Sequence, residues 1–468
     1  MRRAFVEEGS IRDARPASSE GLVNVNRPAQ LEATAESAPR TFDDLIGDCV
    51  HCGFCLPACP TYKSWGNEMD SPRGRIDLMK GLSSGVIVLD QTVSAHFDRC
   101  LACMACVPAC PSGVRYDLLI EAQRAKLEVT APRTPADRAF RELIFALFPH
   151  PGRLKALSVP LFLYAKSGVQ ALIRRSGLLG SVPLRFAQLE ALSPNVSFAD
   201  LRTPLPEFTA AQPGRARGRV ALVAGCVQRS FFPSVNAATI RVLSAEGYDV
   251  LVPPGQGCCG ALSLHSGRAA EAKRFARALI RRFARENVDA ILINAAGCGS
   301  TLKQYGELFA GESKLREAAH TFSAKVQDIN EFLAAVEPVA VRNPLPARVA
   351  YHDACHLAHA QRITAQPRAL LRGIPGLELV EIPDGAQCCG SAGTYNLFEP
   401  ASAREIGQRK ADNVLSVKPD VLASANPGCT VQIQSILRMR GAKLPAAHPI
   451  EILDASIAGR KLDAFRSA

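Results

Sequence analysis

One cysteine motif occurs twice within the first 111 residues of this 468-residue chain and restricts its fold more than any other feature. The motif is C-x2-C-x2-C-x3-C-P, whose short gaps let a loop place three thiolates around one face of a cubane [4Fe–4S] cluster. The fourth cysteine, which precedes a proline, ordinarily binds the other cluster of the pair. The two copies comprise Cys49, Cys52, Cys55, Cys59 and Pro60, and then Cys100, Cys103, Cys106, Cys110 and Pro111.

This crossed arrangement predicts two [4Fe–4S] clusters and therefore a protein that transfers single electrons. Structural zinc would be expected from separated C-x2-C pairs or from cysteines combined with histidines. A disulfide framework is unnecessary in a chain long enough to build its own core. The predicted ligands are Cys49, Cys52, Cys55 and Cys110 for cluster 1, and Cys100, Cys103, Cys106 and Cys59 for cluster 2.

Thiols that bind metal must stay reduced, which predicts a cytoplasmic protein, or one at the cytoplasmic face of the inner membrane. Residues 1–40 contain no apolar run typical of a signal peptide, and we expect them to form a disordered arm. No stretch reaches the ~18 uninterrupted apolar residues of a membrane-spanning helix.

The net charge of +11 suggests an anionic partner. Two clusters with four thiolates each would offset about four of these charges. The basic residues are dispersed and aromatic residues make up only 6% of the chain, which argues against nucleic acid. The remaining charge favours an acidic partner subunit or peripheral contact with an anionic membrane surface.

The first half of the chain is predicted to be helical. The two motifs are too far apart for the compact, hairpin-built ferredoxin, so residues 41–130 are expected to form an α-helical ferredoxin domain. Residues 131–218 should form a helical connector, interrupted by prolines, and a linker. Within it, the apolar stripe Leu161–Tyr164 has two interpretations: packing on a neighbouring domain or subunit, which is the commoner use of such a face, or contact with a membrane surface.

The second half contains an internal repeat, which we place at residues 219–335 and 345–460. Each copy alternates apolar strand-like runs with amphipathic helix-like runs, which predicts two α/β domains with mostly parallel sheets. Each cysteine lies near the end of a predicted strand, so the four thiols of a copy should converge at one sheet edge. They are Cys226, Cys258, Cys259 and Cys298 in the first copy, and Cys355, Cys388, Cys389 and Cys429 in the second.

The eight repeat cysteines are predicted to form additional cofactor-binding, redox-active sites, with further iron–sulfur centres as one interpretation. Gly260 and Gly390, which follow the adjacent cysteine pairs, would allow close backbone approach. The alternative is that small buried cysteines simply fill strand ends. His352, His356 and His359 flank Cys355 and suggest a metal or haem site or a proton relay, although hydrogen-bonded packing is the commoner use of such histidines.

Two ferredoxin motifs followed by two Cys-Cys-Gly repeats resemble the iron–sulfur subunit family of glycolate oxidase (glycolate dehydrogenase). The likeness extends through Asp70–Ile76, Pro111–Tyr116 and Cys388–Tyr395, and covers about residues 42–460. The resemblance implies that the eight motif cysteines bind the clusters. It also implies FAD-containing partner subunits that oxidise glycolate to glyoxylate, and onward electron transfer towards membrane quinone. This chain would then contain no catalytic residues of its own, because it has no flavin or nicotinamide fingerprint.

Other functions stay open. The iron–sulfur subunits of D-lactate dehydrogenase and anaerobic glycerol-3-phosphate dehydrogenase have similar parts, and a zinc-stabilised binding protein represents another class. A heterodisulfide-reductase-like thiol enzyme is a further alternative, but the related Cys-Cys-Gly modules of those enzymes end in C-x2-C. Here Thr301 and Gln432 replace the closing cysteines, which puts a five-cysteine cluster in doubt.

Overall fold

The computed structural model describes residues 40–461 apart from 194–204, 213 and 215, so the expected disordered arm lies outside the described residues except for residue 40. Residues 41–130 form short helices around the two cysteine motifs. A single 3-10 turn, Glu68–Asp70, precedes α3. The helices are α1 (Phe42–Gly47), α2 (Pro60–Trp65), α3 (Pro72–Ser83), α4 (Gln91–Asp98) and α5 (Tyr116–Thr130).

Local sequence signals explain where these helices begin. The Ser71 side chain accepts a hydrogen bond from the backbone N–H of Gly74, and Pro72 occupies the first turn of α3. Pro60 begins α2 directly after the last cysteine of the first motif. The proline after each motif begins a helix or a turn, which fixes the direction of the chain as it leaves the loop.

The connector continues as helices, in agreement with the proline-interrupted pattern. Within the described residues no single helix is both long and apolar enough to cross a membrane, and α7 and α8, bent by 68°, reach that length and hydropathy only as a pair. The connector helices are α6 (Pro135–Leu147), α7 (Pro151–Lys166), α8 (Val169–Arg175) and α9 (Leu184–Ala191), with a 3-10 turn at Leu178–Gly180.

The first repeat is a five-stranded sheet of order β1-β3-β2-β4-β5, parallel except for β1. The edge strand β1 lies in the segment expected to be a linker, where only two residues pair with β3. The strands are β1 (Phe208–Thr209), β2 (Gly218–Val223), β3 (Tyr248–Leu251), β4 (Ala290–Ile293) and β5 (Val326–Asp328). The helices are α10 (Val227–Phe231), α11 (Pro233–Ala245), α12 (Ala261–His265), α13 (Ala269–Phe283), α14 (Ala296–Lys303), α15 (Tyr305–Leu308), α16 (Ser313–Lys325) and α17 (Ile329–Ala334).

The second repeat is a four-stranded parallel sheet of order β7-β6-β8-β9, which matches the order of β3-β2-β4-β5 in the first repeat. A π-helical turn, His356–Ala360, follows its first strand. The strands are β6 (Ala347–His352), β7 (Leu377–Glu381), β8 (Val421–Ser424) and β9 (Ala446–Ala447). The helices are α18 (Ala365–Arg372), α19 (Tyr395–Phe398), α20 (Pro400–Ser416), α21 (Pro427–Met439) and α22 (Pro449–Ile457).

The two sheets share one hydrophobic core. Val220 and Leu222 of β2 lie in the same buried cluster as Val349 and Tyr351 of β6. Ala221, on the opposite face of β2, belongs to a separate core of the first repeat. Both faces of each central strand are therefore covered, as expected for parallel sheets, and the repeats are held against each other by apolar burial.

Candidate metal centres

The loops of the two ferredoxin motifs adopt the same strained backbone conformation. The residues two and four positions after the first cysteine have positive φ in both copies: His51 and Gly53 in the first, and Ala102 and Met104 in the second. Non-glycine residues rarely adopt this conformation, and it turns successive backbone N–H groups towards one side of the loop. Such an arrangement suits an anionic cluster, and the strain is located where a bound cluster would be.

The structure brings the crossed cysteine sets together. Two separate cavities adjoin the motif loops, and Cys106 lines both. Because the fourth cysteine of each motif reaches the loop of the other, the thiols fit a pair of cubane clusters with exchanged ligands. One cavity is lined by Cys49, Cys52, Cys55 and Cys110, and the other by Cys59, Cys100 and Cys103.

The two sets differ in exposure. Cys52 is exposed, and the other predicted ligands of cluster 1 are partly buried, whereas all four predicted ligands of cluster 2 are buried. Cys103 also packs in one buried cluster with Cys355 and Cys388 of the second repeat. The predicted ligands of cluster 1 thus lie near the surface. Those of cluster 2 lie between the cluster 1 ligands and the repeats.

A buried arginine that was not predicted from the sequence lies beside the predicted ligands of cluster 2. Arg75 is fully buried, donates to the carbonyl oxygen of Asp70 at 2.7 Å and to Thr61 Oγ1 at 3.2 Å, and pairs with the Asp70 carboxylate at 3.3 Å. Burial raises the pKa of Cys100, but the charges of Arg75 and Arg124 outweigh it and hold that pKa below its ordinary value. A lone arginine in an amphipathic helix carries no sequence signal for this role.

The thiols of each Cys-Cys-Gly repeat converge as predicted from their positions after the strands. In the first repeat Cys226 Sγ lies 3.6 Å from Cys258 Sγ, and Cys259 and Cys298 are hydrogen-bonded neighbours. The second repeat pairs Cys355 with Cys388 and Cys389 with Cys429 in the same way. None of the sixteen cysteines, all of which lie within the described residues, forms a disulfide bond.

The glycine after each cysteine pair permits the close approach expected of it. Gly260 has φ +84° and Gly390 has φ +86°. A Cβ on Gly260 would stand 2.9 Å from the carbonyl oxygen of Ala272, and one on Gly390 would collide with that of Ala403. Only glycine therefore lets α13 in the first repeat and α20 in the second pack directly against the segment that carries the cysteine pair.

A cavity of about 410 Å³ lies between the two repeats and the connector. One wall carries thiols of both repeats, including Cys259 and Cys429, together with His265 and Asn426. The other wall comes mainly from the connector and is largely apolar: Leu143, Ile144, Leu147, Phe148, Leu157, Leu161, Leu189 and Leu192. The connector also contributes the charged side chains of Arg133, Asp137, Arg141 and Arg185 to the lining. No motif marked this cavity, because it forms only where three distant segments pack together.

The three histidines near Cys355 have different environments. His356 contacts Ser300 Oγ at 2.8 Å and the carbonyl oxygen of Ala102 at 3.1 Å, and His359 contacts the carbonyl oxygen of Ala386 at 2.9 Å. These two fit the packing interpretation, and burial lowers the pKa of His356 to about 3. His352 is also buried, but neither of its ring nitrogens has a hydrogen-bond partner among the described residues.

The residues that replace the closing cysteines contribute polar contacts instead. Thr301 Oγ1 lies 3.4 Å from His265 Nε2. The amide of Gln432 accepts a hydrogen bond from Asn396 at 3.0 Å and donates one to the carbonyl oxygen of Ala403 at 3.1 Å. Each repeat is therefore limited to four thiols.

Comparison with known proteins identifies the same modules. A 4Fe–4S dicluster domain model matches residues 46–114, and a cysteine-rich domain model matches residues 220–303 and 349–434. Residues 136–193 match the linker region of the glycolate oxidase iron–sulfur subunit. The matches confirm the predicted fold class and the two [4Fe–4S] clusters.

Similarity to whole proteins extends over most of the chain. The probable glycolate oxidase iron–sulfur subunit of Bacillus subtilis is 36% identical over 412 residues, covering 87% of this chain and 93% of the relative. The glycolate oxidase iron–sulfur subunit of Escherichia coli is 33% identical over 428 residues, covering 89% and 95%. Lactate utilization protein A of a Geobacillus species is 29% identical over 239 residues, covering 50% of this chain and 99% of the relative.

Proposed function

Because this chain belongs to the glycolate oxidase iron–sulfur subunit family, we propose that it is the electron-transfer subunit of a glycolate dehydrogenase complex. An FAD-containing partner subunit oxidises glycolate to glyoxylate, and this chain passes the electrons on towards quinone. Bound [4Fe–4S] clusters supply the one-electron redox chemistry. The residues of the chain hold the clusters, form the environment around them and define the path of electrons from the partner subunit towards quinone.

The observation that carries this proposal is the graded burial of the two crossed cysteine sets. Cys52 is exposed where a partner subunit can approach, whereas Cys103 is buried against Cys355 and Cys388. The proposed ligands remain Cys49, Cys52, Cys55 and Cys110 for cluster 1, and Cys100, Cys103, Cys106 and Cys59 for cluster 2. Electrons would therefore enter at cluster 1 near the surface and leave from cluster 2 towards the repeats.

The test is anaerobic purification of the tagged chain with the subunits that bind it, followed by addition of substrate. Glycolate should reduce the clusters, as followed by visible bleaching and electron paramagnetic resonance. D-lactate and sn-glycerol 3-phosphate serve as comparison substrates. Faster reduction by either of these, or a co-purified subunit without flavin, would contradict the glycolate assignment.

We also propose that the repeats bind metal centres of their own. Four matched thiols converge in each repeat, and all eight are buried except Cys298, which is partly buried. Filling of strand ends does not require this arrangement. The double variant Cys259→Ser with Cys389→Ser tests this proposal. We expect metal content and electron flow to quinone to fall, whereas unaltered values for both would support simple packing.

The proposed final acceptor is a quinone at the cytoplasmic face of the inner membrane. The large cavity joins the thiols of the repeats to an apolar wall formed by the connector, which suits an apolar ring compound. The connector also exposes Leu163 and Leu172 beside the basic residues Lys166 and Arg175. Apolar side chains next to positive charge fit an anionic lipid surface.

A further inference from the structure

His352 is the last residue of β6, and its imidazole is enclosed without a hydrogen-bond partner among the residues that the structure describes. The residue is 0% exposed, so bulk solvent does not reach its ring nitrogens. An unsatisfied buried polar group is destabilising, and native proteins rarely retain one without a reason such as an ion. The packing interpretation that accounts for His356 and His359 therefore fails for His352.

Two thiols lie beside this imidazole. A ring nitrogen of His352 and the Sγ atoms of Cys389 and Cys429 all lie within 4.8 Å of one another. A single tetrahedral ion binds sulfur at about 2.3 Å and nitrogen at about 2.0–2.1 Å, so three donors this close can share one ion. His352 ends β6, Cys389 lies in the loop after β7, and Cys429 lies in the first turn of α21, which follows β8. The second sheet brings these three positions to one edge.

We propose that His352, Cys389 and Cys429 bind a single borderline-soft divalent transition-metal ion, with Zn²⁺ as the expected occupant. This proposal rests on the metal-binding role proposed above for the repeats and specifies it for the second one. A neutral imidazole and two thiolates balance a dication, so the occupied site carries no net charge and tolerates burial. Three protein donors leave a fourth position for water or another ligand.

The four cysteines of the second repeat form two pairs that have different neighbours. Cys355 and Cys388 pack with Cys103 of the ferredoxin domain, whereas Cys389 and Cys429 adjoin His352. The buried ammonium group of Lys410 lies near the latter two thiols and donates to the carbonyl oxygens of Asp384 and Gly385 at 2.8 and 3.0 Å.

The first repeat provides an internal comparison. Val223, the last residue of β2, occupies the position that corresponds to His352, and the four cysteines are otherwise matched. Valine provides no donor atom, so the ligand set proposed here is restricted to the second repeat. His352→Val therefore converts one repeat into the pattern of the other without introducing a residue foreign to the fold.

The experiment uses the full chain, purified anaerobically with its partner subunits from zinc-supplemented cells. Besides the metal of the two clusters and of the first repeat, wild-type protein should contain about one zinc ion, and zinc-edge X-ray absorption should show sulfur and nitrogen neighbours. In His352→Val, dialysis against a chelator should lower the content of that zinc at least tenfold, whereas the iron content should stay unchanged. A single additional iron lost in the same variant would also support the ligand set, with Fe²⁺ in place of Zn²⁺.

Two controls keep the result interpretable. His352→Cys replaces one donor with another and should retain the ion, and Cys259→Ser alters only the first repeat and should leave it in place. The proposal is overturned if wild-type zinc has no nitrogen neighbour, if wild type holds no metal beyond the two clusters, or if His352→Val retains all its metal. Loss of about four irons from that variant with zinc unchanged would also overturn it. None of these outcomes depends on whether glycolate is the substrate.

Discussion

At the scale of single residues, the ferredoxin motifs combine thiols with unfavourable backbone conformations. Ala102 and Met104 have φ of 47° and 61°, values that cost energy in an L-residue. Metal binding and folding are coupled in such sites, because the loop has little reason to keep this shape without the cluster. The cysteines should consequently matter for stability as well as for electron transfer.

Cys52→Ser and Cys103→Ser should each lose about four of the eight cluster irons, because each removes a proposed ligand of a different cluster. Cys103→Ser should also lower the thermal unfolding temperature more, since Cys103 is buried against the second repeat and Cys52 is exposed. Iron analysis and calorimetry provide the measurements. The exposed Phe54 in the same loop supplies the control Phe54→Ser, which should keep its iron. Full iron content in both cysteine variants would disprove the ligand assignment.

Arg75 permits a second test at this scale. Its buried positive charge faces Cys59 and Cys100, so Arg75→Met should shift the midpoint potential of the neighbouring cluster to more negative values. It should also destabilise the fold by roughly 1–3 kcal/mol, because the Asp70 carboxylate loses one of its partners and keeps its contacts with His96 and Arg99. Arg75→Lys keeps the charge and should retain a potential closer to wild type in a redox titration. Equal potentials in all three proteins would show that Arg75 is purely structural.

At the scale of helices and strands, the sequence predicted most of the repeats. The apolar runs that end at Cys226 and Cys355 form β2 and β6, and the amphipathic runs form α13 and α20. These elements could be predicted because both faces of a parallel strand are buried and because amphipathic helices cover them. The short edge strand β1 could not, since two residues carry no periodicity and its pairing with β3 depends on tertiary contact.

The glycine that follows the second cysteine pair should be intolerant of substitution. Gly390→Ala combines a left-handed backbone, which costs about 1–2 kcal/mol, with a collision against Ala403 that adds roughly 1–3 kcal/mol. Gly441 is the matched control, because its φ is +71° but no atom lies within 4 Å of the position of a Cβ. Gly441→Ala should therefore show only the first cost in urea unfolding. Similar losses in both variants would refute the packing role of Gly390.

A buried histidine at the start of α22 should make stability depend on pH. His448 Nδ1 accepts a hydrogen bond from the backbone N–H of Ile450, and burial lowers the pKa of His448 from the ordinary 6.5 to about 3. Between these two pKa values, the His448 imidazole therefore binds a proton in the unfolded chain but not in the folded chain. This contribution to stability is complete above pH 6.5 and is lost as the pH falls below it, by about 1.4 kcal/mol at pH 5.5.

His448→Asn keeps a side-chain acceptor at the helix start but does not titrate. Urea unfolding at pH 7.5 and 5.5 should show a smaller difference for the variant than for wild type, with iron content checked at both values. An identical pH dependence would mean that His448 is not the group responsible.

At the scale of the whole molecule, the arrangement of modules could be predicted but their mutual packing could not. The repeat pattern revealed two domains with converging thiols, whereas the core shared by Val220 and Val349 depends on which sheet faces meet. The cavity has the same origin, since its two walls come from segments far apart in the chain. The environment of His352 is likewise visible only in the structure, where its ring nitrogens have no hydrogen-bond partner within residues 40–193 and 205–461 as far as these are described.

The exposed side of the connector provides the test at this scale. Leu163 and Leu172 are 59% and 67% exposed, and burying each in a lipid surface is worth about 1.5–3 kcal/mol. Leu163→Glu with Leu172→Glu should therefore weaken binding to anionic vesicles by at least tenfold and slow quinone reduction in membranes. Reduction of a soluble dye should be unchanged, because the proposed cluster ligands lie in another domain. Val341 is 70% exposed outside the connector, and Val341→Glu should leave vesicle binding intact. Equal losses in both proteins, or no binding by wild type, would exclude the connector as the membrane-facing surface.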